Sequence, residues 1–156
     1  MTNEDDEATP QNAKETVLTT SPARTKMLYE PVSEEEDRIG RGIVDAAFAV
    51  HKNLGPGLLE SVYEACFCIE LKKRGFTPSR QVPVPIIYEG EKVDDDLRLD
   101  VLVNDKVICE LKSVETMHSV FTAKLLTYLK LSERRLGYLI NFNVPLIKDG
   151  IKRLVR

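Results

Sequence analysis

Leu99-Asp100-Val101-Leu102-Val103 and Val107-Ile108-Cys109-Glu110-Leu111-Lys112 are two apolar runs separated by Asn104-Asp105-Lys106. Bounded this way, they predict an antiparallel strand pair over residues 94–103 and 106–113. Side chains alternate between the faces of a strand, so Asp100 shares a face with Leu102, and Glu110 and Lys112 share one with Ile108. Pairing Val103 with Val107 across a three-residue loop sets Asp100 opposite Glu110. A two-residue loop instead pairs Asp100 with Cys109 and separates the carboxylates, because a one-step slip flips every side chain. Asn104 and Asp105 tolerate positive φ, which suits the longer loop with a bulge.

Two carboxylates and an ammonium on one half-buried sheet face are costly unless something compensates them. A divalent cation would, since Mg²⁺ takes oxygen ligands while keeping several waters. It could then bind a phosphate and acidify a water, with Lys112 positioning that water or steadying developing charge. The plain alternative is a cross-strand ion pair on a solvated face, worth less than about 1 kcal/mol.

Working outward, Ser33 and Glu36 have the spacing of a capping box, and Glu34, Glu35 and Asp37 suit the positive end of a helix. Ile39, Ile43, Ala47 and His51, with Val44, Phe48 and Leu54, form the apolar stripe of a helix reaching about residue 53. On that stripe His51 reads as a packing residue. Leu54-Gly55-Pro56-Gly57 ends this helix. A second runs over about 58–74 with Leu58, Val62, Cys66, Ile69 and Leu71 as apolar positions and Gly75 as its C-terminal cap. Cys66 and Cys68 face opposite ways and fill core. Residues 81–88 form a strand that Pro83 and Pro85 confine to a sheet edge. A helix over 119–131 turns Phe121, Leu125, Leu126 and Leu129 inward, and 135–142 is a buried strand. The order is ααβββαβ, an α/β (α+β) mixed sheet flanked by helices, with a C-terminal piece at 147–155 of undecided type.

The chain has 156 residues, 42% hydrophobic and 30% charged, enough for one packed domain. It contains no apolar run of the ~20 residues that span a bilayer. Its acidic start, MTNEDDEATP, is unlike a secretory signal, and three cysteines are too few for a disulfide framework. A cytoplasmic setting without membrane contact is expected. Residues 1–38 carry four basic and ten acidic side chains, −6, against 18 and 15 in residues 39–156, +3. An acidic flexible tail over 1–31 therefore precedes a mildly basic domain over 32–156, which admits a polyanion partner.

Asp100…Glu110-Leu111-Lys112, after two helices and an edge strand, resembles the PD-(D/E)xK nuclease superfamily. Gly57-Leu58-Leu59-Glu60-Ser61-Val62-Tyr63 is similar to the signature of its GxxExxY branch. The likeness extends through 51–57, Val82-Pro83-Val84, Arg98-Leu99-Asp100 and 136–142. It implies a restriction-endonuclease-like core with a Mg²⁺-dependent (or Mn²⁺-dependent) phosphodiesterase site. Asp100, Glu110 and the helical Glu60 would be metal ligands, and Lys112 the catalytic lysine. Tyr63 would be packing support or a phosphate contact. The family's helix after the ExK strand commonly carries Gln four residues before a Tyr, and a His slightly earlier. Here Lys124 precedes Tyr128 and Phe121 stands near the His position. Lys124 would contact phosphate as a point charge or compete with metal for the acids.

The resulting expectation is a metal-dependent nuclease acting on nucleic acid, DNA before RNA. The alternatives are a catalytically silent module that binds nucleic acid or a protein, and an interaction domain in which Asp100, Glu110 and Lys112 form only an ion network. So small a domain covers little duplex, so cutting both strands calls for a homodimer.

Overall fold

A computed structural model describes residues 30–156; the acidic tail expected before them lies almost wholly outside the described residues. The elements are α1 (Glu34–Leu54), α2 (Glu60–Lys73), β1 (Pro78–Tyr88), β2 (Glu91–Val103), β3 (Val107–Lys112), α3 (Ser119–Leu131), β4 (Leu136–Asn141), a 3₁₀ turn (Ile147–Gly150) and β5 (Ile151–Val155). The five strands form one sheet in the order β1-β2-β3-β4-β5, with only β3 and β4 parallel. The undecided C-terminal piece is thus the 3₁₀ turn followed by an edge strand.

Helices cover both faces. Ile39, Ile43 and Ala47 of α1 and Tyr63, Phe67 and Leu71 of α2 pack with Val101, Val107, Cys109 and Ile140. Leu125, Tyr128 and Leu129 of α3 pack with Leu102, Ile108 and Leu139 on the other face. A parallel pair covered on both sides carries continuous apolar runs, and β4 is buried throughout while β3 is buried up to Lys112.

Local chemistry sets the boundaries. Ser33 and Glu36 close both hydrogen bonds of the capping box at the start of α1. Val103 pairs with Val107, so the loop has three residues. Asn104 and Asp105 take left-handed backbones, with φ of 51° and 57°. Asn104 exchanges hydrogen bonds with Thr77, and Arg134 grips Asp105 at 2.7 Å. Both sides of the loop are therefore anchored, which fixes the register. The Pro-bearing strand β1 lies at the sheet edge, as its composition requires.

The helix stripes differ from the expected ones. Phe48 and Leu54 of α1 are exposed, and Gly40, Gly42, Ala46 and Val50 take the buried places beside Ile39, Ile43 and Ala47. α2 begins at Glu60, so Leu58 lies before it and is exposed; on the helix Val62 and Ile69 face solvent, while Tyr63, Glu64, Phe67, Cys68 and Leu71 are buried and Cys66 is only partly covered. Leu126 of α3 is exposed and Tyr128 is buried. His51 packs as expected, its Nε2 2.8 Å from the Val144 carbonyl oxygen.

One irregularity bears on the site. Leu97 and Leu99 pack into the same cluster as Leu102, whereas Val101 and Val103 pack into the other. Strict alternation is broken, so β2 turns about its axis at Asp100. Across the ladder, Gln81 has φ 50°, a left-handed conformation that costs a non-glycine residue about 1–2 kcal/mol.

A Cβ at Gly42 would collide with the Phe76 ring, and one at Gly40 with the Tyr138 hydroxyl end. Gly42→Ala is expected to destabilise the domain by about 1–3 kcal/mol through overpacking, read as a lower urea midpoint at unchanged slope. An unchanged midpoint would mean that α1 does not press on Phe76 as described.

Candidate active site

The backbone ladder between β2 and β3 ends at Val101↔Cys109. At the next position side chains replace it. The Asp100 N–H donates to Glu110 Oε1 at 3.2 Å, and the Leu111 N–H donates to Asp100 Oδ2 at 2.9 Å. Each carboxylate thus satisfies a backbone donor that the parting strands would otherwise orphan. Neither Asp100 Oδ1 nor Glu110 Oε2 takes part in these two backbone bonds.

This arrangement is electrostatically unbalanced. Glu110 is 2% exposed. Burial, reinforced by the Asp100 carboxylate, pushes its acid up to about 8, against the opposing pull of the Asp100 N–H and Lys124. None of the ion pairs among the described residues includes Asp100, Glu110, Lys112 or Glu60. The cross-strand Asp–Lys or Glu–Lys pair of the plain reading is thus not among these ion pairs.

Glu60 opens α2 and faces the same region. Burial raises its acid, Lys112 opposes the rise, and Asp100 and Glu64 add to it. The loop before Glu60 is held by Tyr63, which is fully buried. Its hydroxyl donates to the Gly55 carbonyl at 2.6 Å and accepts from the Leu58 N–H at 3.1 Å, while its ring stacks on Phe142. Tyr63 is packing support, not a surface contact. The Ser113 hydroxyl donates to the Leu58 carbonyl at 2.6 Å, tying this loop to the end of β3.

Lys112 is the last residue of β3, and its Nζ lies 4.8 Å from the centroid of the Phe121 ring, a cation–π contact. Lys124 stands over Tyr128 at 5.2 Å. Burial would lower the Lys124 ammonium, but Tyr128, Glu110 and Asp100 together raise it. The cation on α3 therefore answers to the same acids. His118 is an exposed residue at the start of α3.

Two further groups escaped the sequence reading. Asn141, which pairs with Lys112 across β3–β4, is buried and hydrogen-bonds both the N–H and the carbonyl of Val114. It anchors the chain leaving Lys112. Glu64, buried one turn after Glu60, binds Arg80 and Gln81; its four-residue spacing from Glu60 was the available signal.

The family model of the PD-(D/E)XK nuclease superfamily matches residues 37–154. The chain belongs to that superfamily. Neither a curated protein nor a solved structure matches it. The mixed sheet between helices agrees with the restriction-endonuclease-like fold expected of such a chain. Members generally use divalent metal ions. The donor set suits one: two adjacent carboxyl groups offer hard oxygen ligands. Among the described residues, however, no three His, Cys, Asp or Glu side chains converge into a preformed cage. Asp100 and Glu110 are together; Glu60 is a neighbour in charge and not part of a ready cluster.

Because the Glu110 acid is raised above its unfolded value, the folded state binds more protons than the unfolded chain between about pH 4.5 and 8. Stability contributed by this group is present at low pH and declines as pH rises through that window. Denaturation midpoints of the metal-free protein are expected to fall from pH 5 to 8 more steeply than those of Glu110→Gln. Equal slopes would show that Glu110 does not titrate there.

Proposed function

We propose that the chain is a metal-dependent nuclease that hydrolyses phosphodiester bonds, with DNA as its substrate, and that it belongs to the GxxExxY branch. The observation that carries this reading is the Asp100–Glu110 pair, two adjacent carboxyl groups that form no ion pair with a cation among the described residues. Asp100 and Glu110 would hold Mg²⁺, or Mn²⁺ in its place. Glu60 would complete the acidic set from α2, directly or through a water. The ion would supply Lewis-acid polarisation of the phosphate and an acidified water.

The chain's own groups do the rest. Lys112 offers a positive charge beside the acids for the pentavalent phosphate or the attacking water. Phe121 restricts the swing of its ammonium. Lys124 would meet a phosphate oxygen as a point charge, steadied by Tyr128. Tyr63, Ser113 and Asn141 keep the two loops beside the acids in place. Two copies would act on the two strands of a duplex. No helix among the described residues is long and apolar enough to cross a membrane; a cytoplasmic setting is part of the proposal and rests on free cysteines, two of them buried.

A catalytically silent nucleic-acid-binding module is the second reading. Lys124 favours it, because its ammonium interacts with the two acids a metal would need.

Calorimetry with Mn²⁺, followed by cleavage assays on single- and double-stranded DNA, separates the two. Wild type is expected to bind Mn²⁺ and cleave. Asp100→Ala should lose both, and Lys112→Ala should bind metal but cleave about 10²-fold or more slowly. Nucleic-acid binding without cleavage under Mg²⁺ or Mn²⁺ would establish the silent module instead.

A further inference from the structure

In a regular strand successive side chains point to opposite faces, yet Arg80 and Gln81 reach one carboxylate. Arg80 Nε donates to Glu64 Oε1 at 2.8 Å, and Gln81 Nε2 donates to Glu64 Oε2 at 3.1 Å. The left-handed backbone at Gln81 makes this possible. The β1–β2 ladder runs Arg80↔Val101 and Val82↔Leu99, omitting the rung between them, where Gln81 faces Asp100. That rung is also where β2 turns about its axis, as the side-chain clusters on either side of Asp100 require. Glu64 itself is buried on α2, 5% exposed, with both oxygens engaged.

We propose that Glu64 is a positioning residue for the candidate site: its two hydrogen bonds lock β1 into the kink opposite Asp100 and so fix where the Asp100 carboxylate points. Gln81 without this clamp drifts toward the β region that a non-glycine residue prefers. β1 and β2 then straighten together at this rung. Asp100 loses the turn that carries its Oδ2 to the Leu111 N–H and its own N–H to Glu110. The same clamp ties this rung to the helix that begins with Glu60, so both sides of the acidic region share one reference. The functional meaning rests on Asp100 being a metal ligand, but the clamp itself is observable without metal.

Amide hydrogen exchange of the full chain by NMR, without metal, tests the clamp at the two N–H groups that the site carboxylates accept. Glu64→Ala is expected to speed exchange at Asp100 and Leu111 at least tenfold, with the Leu102 amide unchanged. Glu64→Gln retains an acceptor for Arg80 and can pair with an inverted Gln81 amide, so it should stay within threefold of wild type. Gln81→Ala, a change at an exposed residue that leaves Glu64–Arg80 intact, should reproduce the local loss if Glu64→Ala fails to fold. Unchanged exchange at Asp100 and Leu111 in the folded variant would overturn the proposal, as would acceleration shared equally by all core amides. Mn²⁺ titration of the same proteins then addresses the site: a tenfold or larger loss of affinity supports positioning of a ligand. Undiminished affinity despite local opening would overturn that role, and a wild type that binds no Mn²⁺ would sink the metal reading while leaving the clamp in place.

Discussion

Where β2 and β3 part, two backbone N–H groups need acceptors, and the carboxylates of Asp100 and Glu110 provide them. An N–H left unpaired away from water is costly, and those two side chains offset that cost where the strands separate. The same bonds hold two acids side by side. Burial and the neighbouring Asp100 charge together raise the Glu110 acid to about 8. The register that makes the arrangement possible is set five residues away, at the loop pinned by Thr77 and Arg134. A two-residue loop would have buried Asp100 against Cys109 and dissolved the site.

α2 supplies the second frame. Its buried face carries Tyr63, whose hydroxyl bridges the loop from Gly55 to Leu58, and Glu64, which grips β1. Between these supports Glu60 is directed at the region of Lys112 and Asp100. Asn141 on β4 and Ser113 after β3 close the frame from the other side. Glu60 and Lys112 thus sit at element ends, while Tyr63, Glu64 and Asn141, which hold the neighbouring backbone, are buried.

The elements most open to a sequence reading were those specified by neighbouring residues. The Ser33–Glu36 capping box, the Asn104-Asp105-Lys106 loop, the edge strand marked by Pro83 and Pro85 and the alternation that pairs Asp100 with Glu110 all follow from local rules. The apolar face of α2 did not. Val62 and Ile69 lie on one side of it and Tyr63, Phe67 and Leu71 on another, so periodicity offered two stripes. The larger aromatic stripe is the buried one, because Phe142 and the sheet provide a surface that fits it. On α1, Gly40 and Gly42 are buried in preference to Phe48 because Tyr138 and Phe76 press against the helix there. Small residues marked the close approach, which a hydrophobicity pattern does not register.

By itself the sequence determined the strand pair and the face alternation that lets Asp100 meet Glu110, since alternation and turn chemistry act within a few residues of each other; the choice between its two possible registers was closed by the contacts of the loop with Thr77 and Arg134. It also determined membership of the nuclease superfamily, because the ordered motif carries that signal. Only the tertiary structure decided that β2 twists at Asp100, that Gln81 is held in a left-handed backbone, and that Glu64 joins the two. Those features depend on residues from α2, β1 and β2 that the chain keeps far apart, and packing alone brings them within hydrogen-bonding distance. The Glu110 acid near 8 has the same origin: a carboxyl group's affinity for its proton is set by the water it loses and the charge it meets on folding.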